Sequence, residues 1–130
     1  MLFRSPGHAP VDVTSRRVPG RTLARLRLRN RALATSGAGE QYVDADGTRY
    51  GHVLDPRTGW PARGVLSATA ITPDAADADA LATAFLVGGE ELAQRYCDAH
   101  AGTMALLTRD DDAATTIVIG RSAGVEVEQL

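Results

Sequence analysis

The sequence contains no lysine, one cysteine, few aromatic residues and no long apolar run. All 14 basic residues are arginines, which excludes chemistry that needs a lysine, such as a Schiff base or a P-loop. The single cysteine, Cys97, cannot form an intramolecular disulfide or supply a cysteine-rich metal site. Aromatic residues make up 5% of the chain, which is little for a surface that stacks nucleic-acid bases.

The remaining composition is that of an ordinary globular domain. The chain has 130 residues, of which 44% are hydrophobic and 23% charged, and this length favours one domain. A net charge of −2 provides no strong field for nucleic acids or anionic membranes, so we expect no nucleic-acid partner. No apolar run approaches the ~20 residues of a membrane helix, and the first 21 residues lack the apolar core of a signal peptide. These features leave the compartment unassigned, with a cytoplasmic location expected for the chain as written.

The first 22 residues differ in pattern from the rest. Residues 1–22 hold three of the six prolines, scattered arginines and no periodicity, which predicts an irregular tail outside any assigned domain. Residues 23–130 form the predicted domain. Within it, residues 24–31 alternate arginine with mostly leucine, and this period of two predicts a strand with an arginine face. A solvated face is the favoured interpretation, and a patch for a phosphorylated or acidic partner is the alternative.

The rest of the domain alternates strand, turn and helix signals. Asp46-Gly47 predicts a hairpin turn, DPRTG at 55–59 predicts a second turn, and Gly88-Gly89 predicts a break between two consecutive helices. Together these signals predict an α+β fold with a mostly antiparallel sheet. The further predicted elements are strands at 65–72, 103–109, 115–121 and 122–130, and helices at 74–87 and 90–100.

Two residues at the start of the first predicted helix are suited to hold a metal ion. Asp79 and Thr83 are four residues apart, so they lie on one helix face, one turn apart. Carboxylate and hydroxyl oxygens suit Mg²⁺ or Ca²⁺ and suit zinc poorly. By spacing alone, helix capping and a threonine bonded to its own helix are the commoner explanation.

Three other positions have a structural and a functional interpretation. His52 is either a structural hydrogen-bonding group or an acid, base or phosphate contact. Asp55 caps the turn that follows it. Ser36 and Gly37 end a strand in small residues, and their backbone N–H groups are candidates for binding an anion.

The order of these segments resembles the bacterial FAD:protein FMN transferases, the ApbE family. The matching segments are ATSG at 34–37, HVLDPRTGWP at 52–61, SAT at 67–69 and ADALAT at 78–83, each followed by the next in the family's order. The resemblance covers about residues 23–120. Because several motifs occur in one order, the resemblance is more specific than any single motif.

The resemblance implies an enzyme that splits the pyrophosphate of FAD, releases AMP and links FMN to a threonine hydroxyl of an acceptor protein. It implies that FAD is a substrate, that Mg²⁺ is required, and that Asp79 and Thr83 bind the metal. It also implies that His52 is catalytic. The residues expected to contact FAD are Ser36, Gly37, His52, Leu54 and Asp55.

Family members are much longer than this chain, and residues 1–22 match no part of the N-terminal half that carries many of their flavin contacts. We therefore expect little activity from the 130 residues alone. The expected partner is either the missing N-terminal half or a second copy in a homodimer, which would cover apolar surface that is otherwise exposed. The alternatives are a non-catalytic module that binds flavin or a partner protein, and an enzyme that hydrolyses FAD to FMN and AMP. Family members are often exported, so the resemblance also leaves the compartment unassigned.

Overall fold

One long strand, β2, is the element around which the sheet is built. In a computed structural model of the chain, the described residues are 2–15, 20–37, 42–45, 48–51, 55–59 and 64–129. The elements in chain order are strands β1 (Leu2–Thr14), β2 (Thr22–Gly37), β3 (Tyr42–Ala45), β4 (Thr48–Gly51) and β5 (Val65–Thr72), helix α1 (Ala75–Ala99), and strands β6 (Met104–Arg109), β7 (Thr116–Gly120) and β8 (Val125–Gln129).

Six of the strands form an antiparallel sheet in the order β1-β2-β5-β6-β7, and β8 also pairs with β2. One edge of β2 pairs with β1. The other edge pairs with β8 along residues 24–28 and with β5 along residues 32–37. The predicted α+β class with a mostly antiparallel sheet is confirmed.

The predicted hairpin is also present, as a separate two-stranded sheet of β3 and β4. Tyr42 pairs with Gly51 and Ala45 pairs with Thr48. The turn signal itself, Asp46-Gly47, lies outside the described residues.

The alternation in β2 is real, but it changes phase within the strand. Leu26 and Leu28 are fully buried, whereas Arg25, Arg27 and Arg29 are exposed. Asn30 has a φ of 51°, a conformation that interrupts regular pleating. The leucines of the core on this face of the sheet are therefore Leu26 and Leu28, at even positions before Asn30, and Leu33, at an odd position after it.

The prediction of an irregular tail is wrong for residues 2–14, which form β1. This strand pairs with β2 from Leu2 opposite Ala34 to Thr14 opposite Thr22. Its register shifts between Ser5 and His8, where the sequence has Pro6 and Gly7. A proline is tolerated there because β1 ends the strand order of the sheet, and an edge strand does not need every N–H for pairing.

The two predicted helices form a single helix, α1, with a kink inside it. Asp74 caps its start, accepting hydrogen bonds from the backbone N–H groups of Ala76 and Asp77. Gly89 has φ 72° and ψ −163°, so the predicted break is a kink rather than the end of the helix. No helix in the described part of the chain is long and apolar enough to cross a membrane.

The sheet buries apolar side chains on both faces. The helix-side core includes Phe85 and Leu86 of α1, packed on small residues of the sheet such as Ala68, Ala70 and Ala105. Small residues at these positions let the helix approach the sheet closely. The strand-side core contains Val13, Ala24, Leu26, Leu28, Leu33, Ile71, Met104 and Leu106.

Cys97 lies in the helix-side core. Burial raises the pKa of its thiol to about 11, so the thiol remains protonated at neutral pH. This agrees with the role of a small packed side chain.

Candidate functional site

The end of β2 meets the first part of α1, and two hydroxyl groups are in contact there. Ser36 Oγ and Thr83 Oγ1 are 3.1 Å apart and hydrogen-bonded. They belong to two of the sequence segments that carry the resemblance, 47 residues apart in the chain. The contact forms because α1 packs across β2 and β5, which places the helix over the end of the strand.

Asp79 lies one helical turn before Thr83, and both side chains are exposed. Within the described ranges, the side chain of Asp79 makes no hydrogen bond or ion pair. The same ranges contain no group of three or more His, Cys, Asp or Glu residues suited to hold a metal ion. Asp79, Thr83 and Ser36 therefore offer one carboxylate and two hydroxyls as oxygen donors. Such a set is hard and oxygen-only, and it needs further ligands from water, backbone or substrate to complete a six-coordinate ion.

Ser36 and Gly37 belong to the sheet rather than to a loop. Ser36 lies opposite Ala68, and Gly37 lies opposite Ser67 in the β2–β5 ladder. The side chain of Ser36 is half-buried and contacts Thr83, as described above. The structure therefore brings Ser36 into contact with Thr83, one of the two predicted metal ligands. The FAD contact predicted for Ser36 and Gly37 remains a prediction.

The turn predicted at 55–59 is present and is held by Asp55. The Asp55 carbonyl oxygen accepts hydrogen bonds from the N–H groups of Thr58 and Gly59 over 3.2 and 2.8 Å. Gly59 has a φ of 74°, which favours glycine. Asp55 is only 8% exposed, and its Oδ1 accepts from the backbone N–H of Arg57 over 2.9 Å.

Arg57 is a residue that the sequence interpretation did not single out. Its Nε and Nη2 donate to Asp55 Oδ1 and Oδ2 over 3.0 and 2.8 Å, a two-point contact that only arginine makes. These hydrogen bonds lower the pKa of the Asp55 carboxyl and raise the pKa of the Arg57 guanidinium. The signal available in the sequence was the spacing of Asp and Arg, two residues apart in a turn.

A groove of about 640 Å³ lies between this turn and α1. Pro56 and Arg57 line it from the turn, and Thr83 and Val87 line it from the helix. Thr83 therefore contacts both the groove and Ser36. Of the predicted site residues, His52 and Leu54 lie outside the described residues, so their roles remain predictions.

These features define a class of protein: an antiparallel α+β domain in which oxygen-bearing side chains lie where the sheet meets a kinked helix, beside a groove between that helix and a turn. The chain belongs to the ApbE family, whose model matches residues 5–107. The match confirms the resemblance inferred from the motifs. It begins within β1, earlier than residue 23, where the sequence interpretation placed its start.

The relatives that the chain resembles are transferases by name. It is 46% identical over 81 residues to the FAD:protein FMN transferase of Rhodobacter capsulatus, an overlap of 62% of this chain and 15% of that protein. It is 38% identical over 82 residues to the FAD:protein FMN transferase of Vibrio cholerae, which covers 62% of this chain and 25% of that one.

Solved structures of the family share the fold. The crystal structure of the ApbE protein of Thermotoga maritima superposes with a TM-score of 0.77 at 33% identity, covering 94% of this chain and 40% of that one. The flavin transferase ApbE of Vibrio cholerae superposes with a TM-score of 0.64 at 27% identity, covering 95% and 40%. The chain thus spans a quarter or less of these two curated relatives and 40% of the two structures.

Proposed function

We propose that this chain carries part of the active site of a FAD:protein FMN transferase. The observation that carries the proposal is the hydrogen bond between Ser36 and Thr83. It joins two family segments that are far apart in sequence, and it places them beside the groove that Thr83 lines. A site assembled in this way is expected if the segments act together on one substrate.

The donor set fits Mg²⁺, and we assign Asp79 and Thr83 as its side-chain ligands. Both residues are exposed on one face of α1, and the carboxylate of Asp79 has no partner among the described residues. When bound, the ion would neutralise charge on the phosphate oxygens of FAD. The two residues do not complete the coordination shell, so substrate and water oxygens would supply the rest.

The other residues bind and orient FAD in this proposal. Ser36, Gly37, Leu54 and Asp55 contact FAD, and His52 takes the proton from the acceptor's threonine hydroxyl. That oxygen then forms a bond to the phosphorus of the FMN portion. The bond to the bridging oxygen breaks, and AMP leaves with that oxygen. The remaining contacts to FAD come from polypeptide of the kind that the longer relatives have outside the matched region, or from a second copy of the chain.

A hybrid enzyme tests the proposal. The segment of the Vibrio cholerae transferase that superposes on this chain is replaced by this chain, and AMP release and flavin attached to the acceptor protein are measured with and without Mg²⁺. We expect Mg²⁺-dependent transfer in the hybrid. Absence of both products in a correctly folded hybrid would reject the proposal.

The Asp79→Asn substitution in the hybrid tests the metal assignment. Loss of a metal-binding carboxylate is expected to reduce the rate of transfer by about a hundredfold or more. Residues that only support metal ligands already have effects of about tenfold to a hundredfold. Asp77→Asn is the matched control, since Asp77 is an exposed aspartate in the same part of α1. Equal activity of the two variants would show that Asp79 is not a ligand.

The products distinguish the alternatives. AMP and free FMN without flavin on the acceptor would indicate a FAD pyrophosphatase. Binding of FAD without release of AMP would indicate a non-catalytic flavin-binding module.

A further inference from the structure

Arg57 connects the turn at 55–59 to helix α1 through a contact that the roles above do not use. While its guanidinium group holds the carboxylate of Asp55, its Nη2 also donates to the backbone carbonyl oxygen of Val87 over 3.4 Å. One side chain therefore contacts the turn and the helix at the same time.

The helix offers an acceptor at Val87 because its backbone breaks two residues later. Gly89 adopts a combination of φ and ψ that is essentially restricted to glycine. A break interrupts the regular ladder of N–H to carbonyl hydrogen bonds, so carbonyl groups of the preceding turn need other donors. Arg57 supplies one of these donors.

The position of Val87 relative to the predicted metal ligands is also specific. Asp79, Thr83 and Val87 follow one another at intervals of four residues, which places them in a row along one side of α1. Arg57 and Thr83 line the same groove. A molecule in the groove would therefore contact the turn and the helix together.

We propose that Arg57 is a positioning residue that holds Asp55, a predicted FAD contact, at a set place against the part of α1 that carries Asp79 and Thr83. This inference rests on the proposed function, because it assigns the turn and the helix to one site. The lowered pKa of Asp55 and the raised pKa of Arg57 agree with it, since both groups stay ionised at neutral pH.

The role requires an arginine rather than any positive charge. A guanidinium group donates through several N–H groups in a fixed plane, so it contacts a carboxylate at two points and a carbonyl at a third. A lysine ammonium keeps the charge and loses this planar geometry. The Arg57→Lys variant therefore separates charge from position.

The chain contains a matched control in Arg109. Its Nε and Nη2 donate to the two carboxylate oxygens of Glu90 over 2.6 and 3.1 Å, so it also joins a strand end to α1 by a two-point contact. Glu90 follows the break at Gly89, and neither residue of this pair lines the groove. The Arg109→Lys variant therefore loses the same kind of contact away from the candidate site.

The experiment is a titration of the full 130-residue chain with FAD at saturating Mg²⁺, followed by flavin fluorescence. Arg57→Lys and Arg57→Ala are each expected to raise the dissociation constant for FAD about tenfold, the size expected for one charge-assisted contact. Arg109→Lys is expected to stay within about twofold of the unmodified chain, because an exposed ion pair contributes little. Thermal unfolding of the same samples should give similar Tm values for the two lysine variants.

Each outcome decides between explanations. Normal FAD affinity in Arg57→Lys with weak binding in Arg57→Ala would assign the effect to charge and overturn the positioning role. Equal weakening in Arg57→Lys and Arg109→Lys would assign it to general stability, which also overturns the role. If the unmodified chain does not bind FAD, the same variants are compared in the hybrid enzyme, and a folded hybrid that does not bind FAD either would overturn the inference together with the proposed function. If the unmodified protein binds FAD and Arg57→Lys binds it equally well, only the inference is overturned.

Discussion

At the scale of single residues, Asp55 shows how a turn residue becomes part of a tertiary contact. Both oxygens of its carboxylate accept hydrogen bonds from Arg57, and its carbonyl oxygen closes the turn. A direct contact with FAD would therefore use its remaining acceptor positions or its backbone. The residue is better placed to hold the turn against α1 through Arg57 than to act as an acid or base. Pairing lowers the pKa of its carboxyl, which leaves no proton to donate at neutral pH and makes the carboxylate a weak base.

The Asp55 pair predicts a pH dependence of stability. Because the folded state lowers the pKa of Asp55, its contribution to the free energy of unfolding is complete above its ordinary value of 3.8. The contribution is lost as the pH falls through the lowered folded-state pKa. We expect Asp55→Asn to lower the urea midpoint of unfolding at pH 7 and to have a progressively smaller effect as the pH falls below 3.8 and through the lowered pKa of Asp55. A difference between the two proteins that stays constant across this range would contradict the assignment.

At the scale of elements, α1 shows why a sequence pattern that predicts the end of a helix corresponds to a kink in the structure. The pair Gly88-Gly89 favours a break, and Gly89 leaves the helical conformation as that signal suggests. Phe85 before the break and Ala93 after it nevertheless pack in the same helix-side core. Packing on one sheet keeps the two parts in one element, and this packing is not visible in a local sequence pattern.

The backbone of Gly89 predicts the effect of adding a single methyl group there. A Cβ at this position would have only an ordinary contact with Val65, at 4.0 Å, so the cost of Gly89→Ala comes from its φ and ψ. We expect a loss of about 1–3 kcal/mol in the free energy of unfolding, measured by urea denaturation. Gly102→Ala is the control, since Gly102 also has a positive φ with open space around it. A smaller loss at Gly89 than at Gly102 would argue against strain at the kink.

Strand β2 shows at the same scale how a simple pattern hides a change of phase. The arginine and leucine alternation correctly predicted a strand with an exposed face, and Arg25 on that face pairs with Asp12 of β1 over 2.9 Å. The alternation could not predict that Asn30 would shift the phase. That shift lets one strand supply Leu28 and Leu33 to the same strand-side core.

At the scale of the whole molecule, the sheet lies between two apolar cores, and β1 helps to cover one of them. Val13 of β1 is 6% exposed and belongs to the strand-side core, and Val11 packs against that core. Removing β1 would expose Leu26 and Leu28, which are fully buried. The N-terminal segment is therefore part of the folded domain and not an appendage.

This arrangement predicts that a chain lacking residues 1–14 does not fold cooperatively. An irregular tail would leave stability unchanged on removal, whereas loss of β1 removes a strand and uncovers a core in a domain whose stability is about 5–15 kcal/mol. Thermal unfolding followed by circular dichroism distinguishes these outcomes. Pro10→Ala is the control, because Pro10 is exposed and its replacement leaves the strand in place. An unchanged cooperative transition in the shortened chain would show that β1 contributes little.

By itself, the sequence determined the features that depend on neighbouring residues or on an ordered series of motifs. These are the family, the turn at Asp55, the break near Gly89 and the strand at 65–72. The family is carried by an ordered series of motifs, whereas the signals for the turn, the break and the strand each lie within a few positions, because turn geometry and strand alternation are local effects.

Only the tertiary structure decided which distant segments meet. The pairing of β1 and β8 with β2 depends on backbone hydrogen bonds between residues that are far apart in the sequence. The proline-containing segment of β1 and the short segment of β8 do not indicate which strand they pair with. The contacts of Ser36 with Thr83 and of Arg57 with Val87 depend on how α1 packs against the alanine side chains of the sheet. Such contacts arise from the packing of the whole chain, so no short stretch of residues contains enough information to predict them.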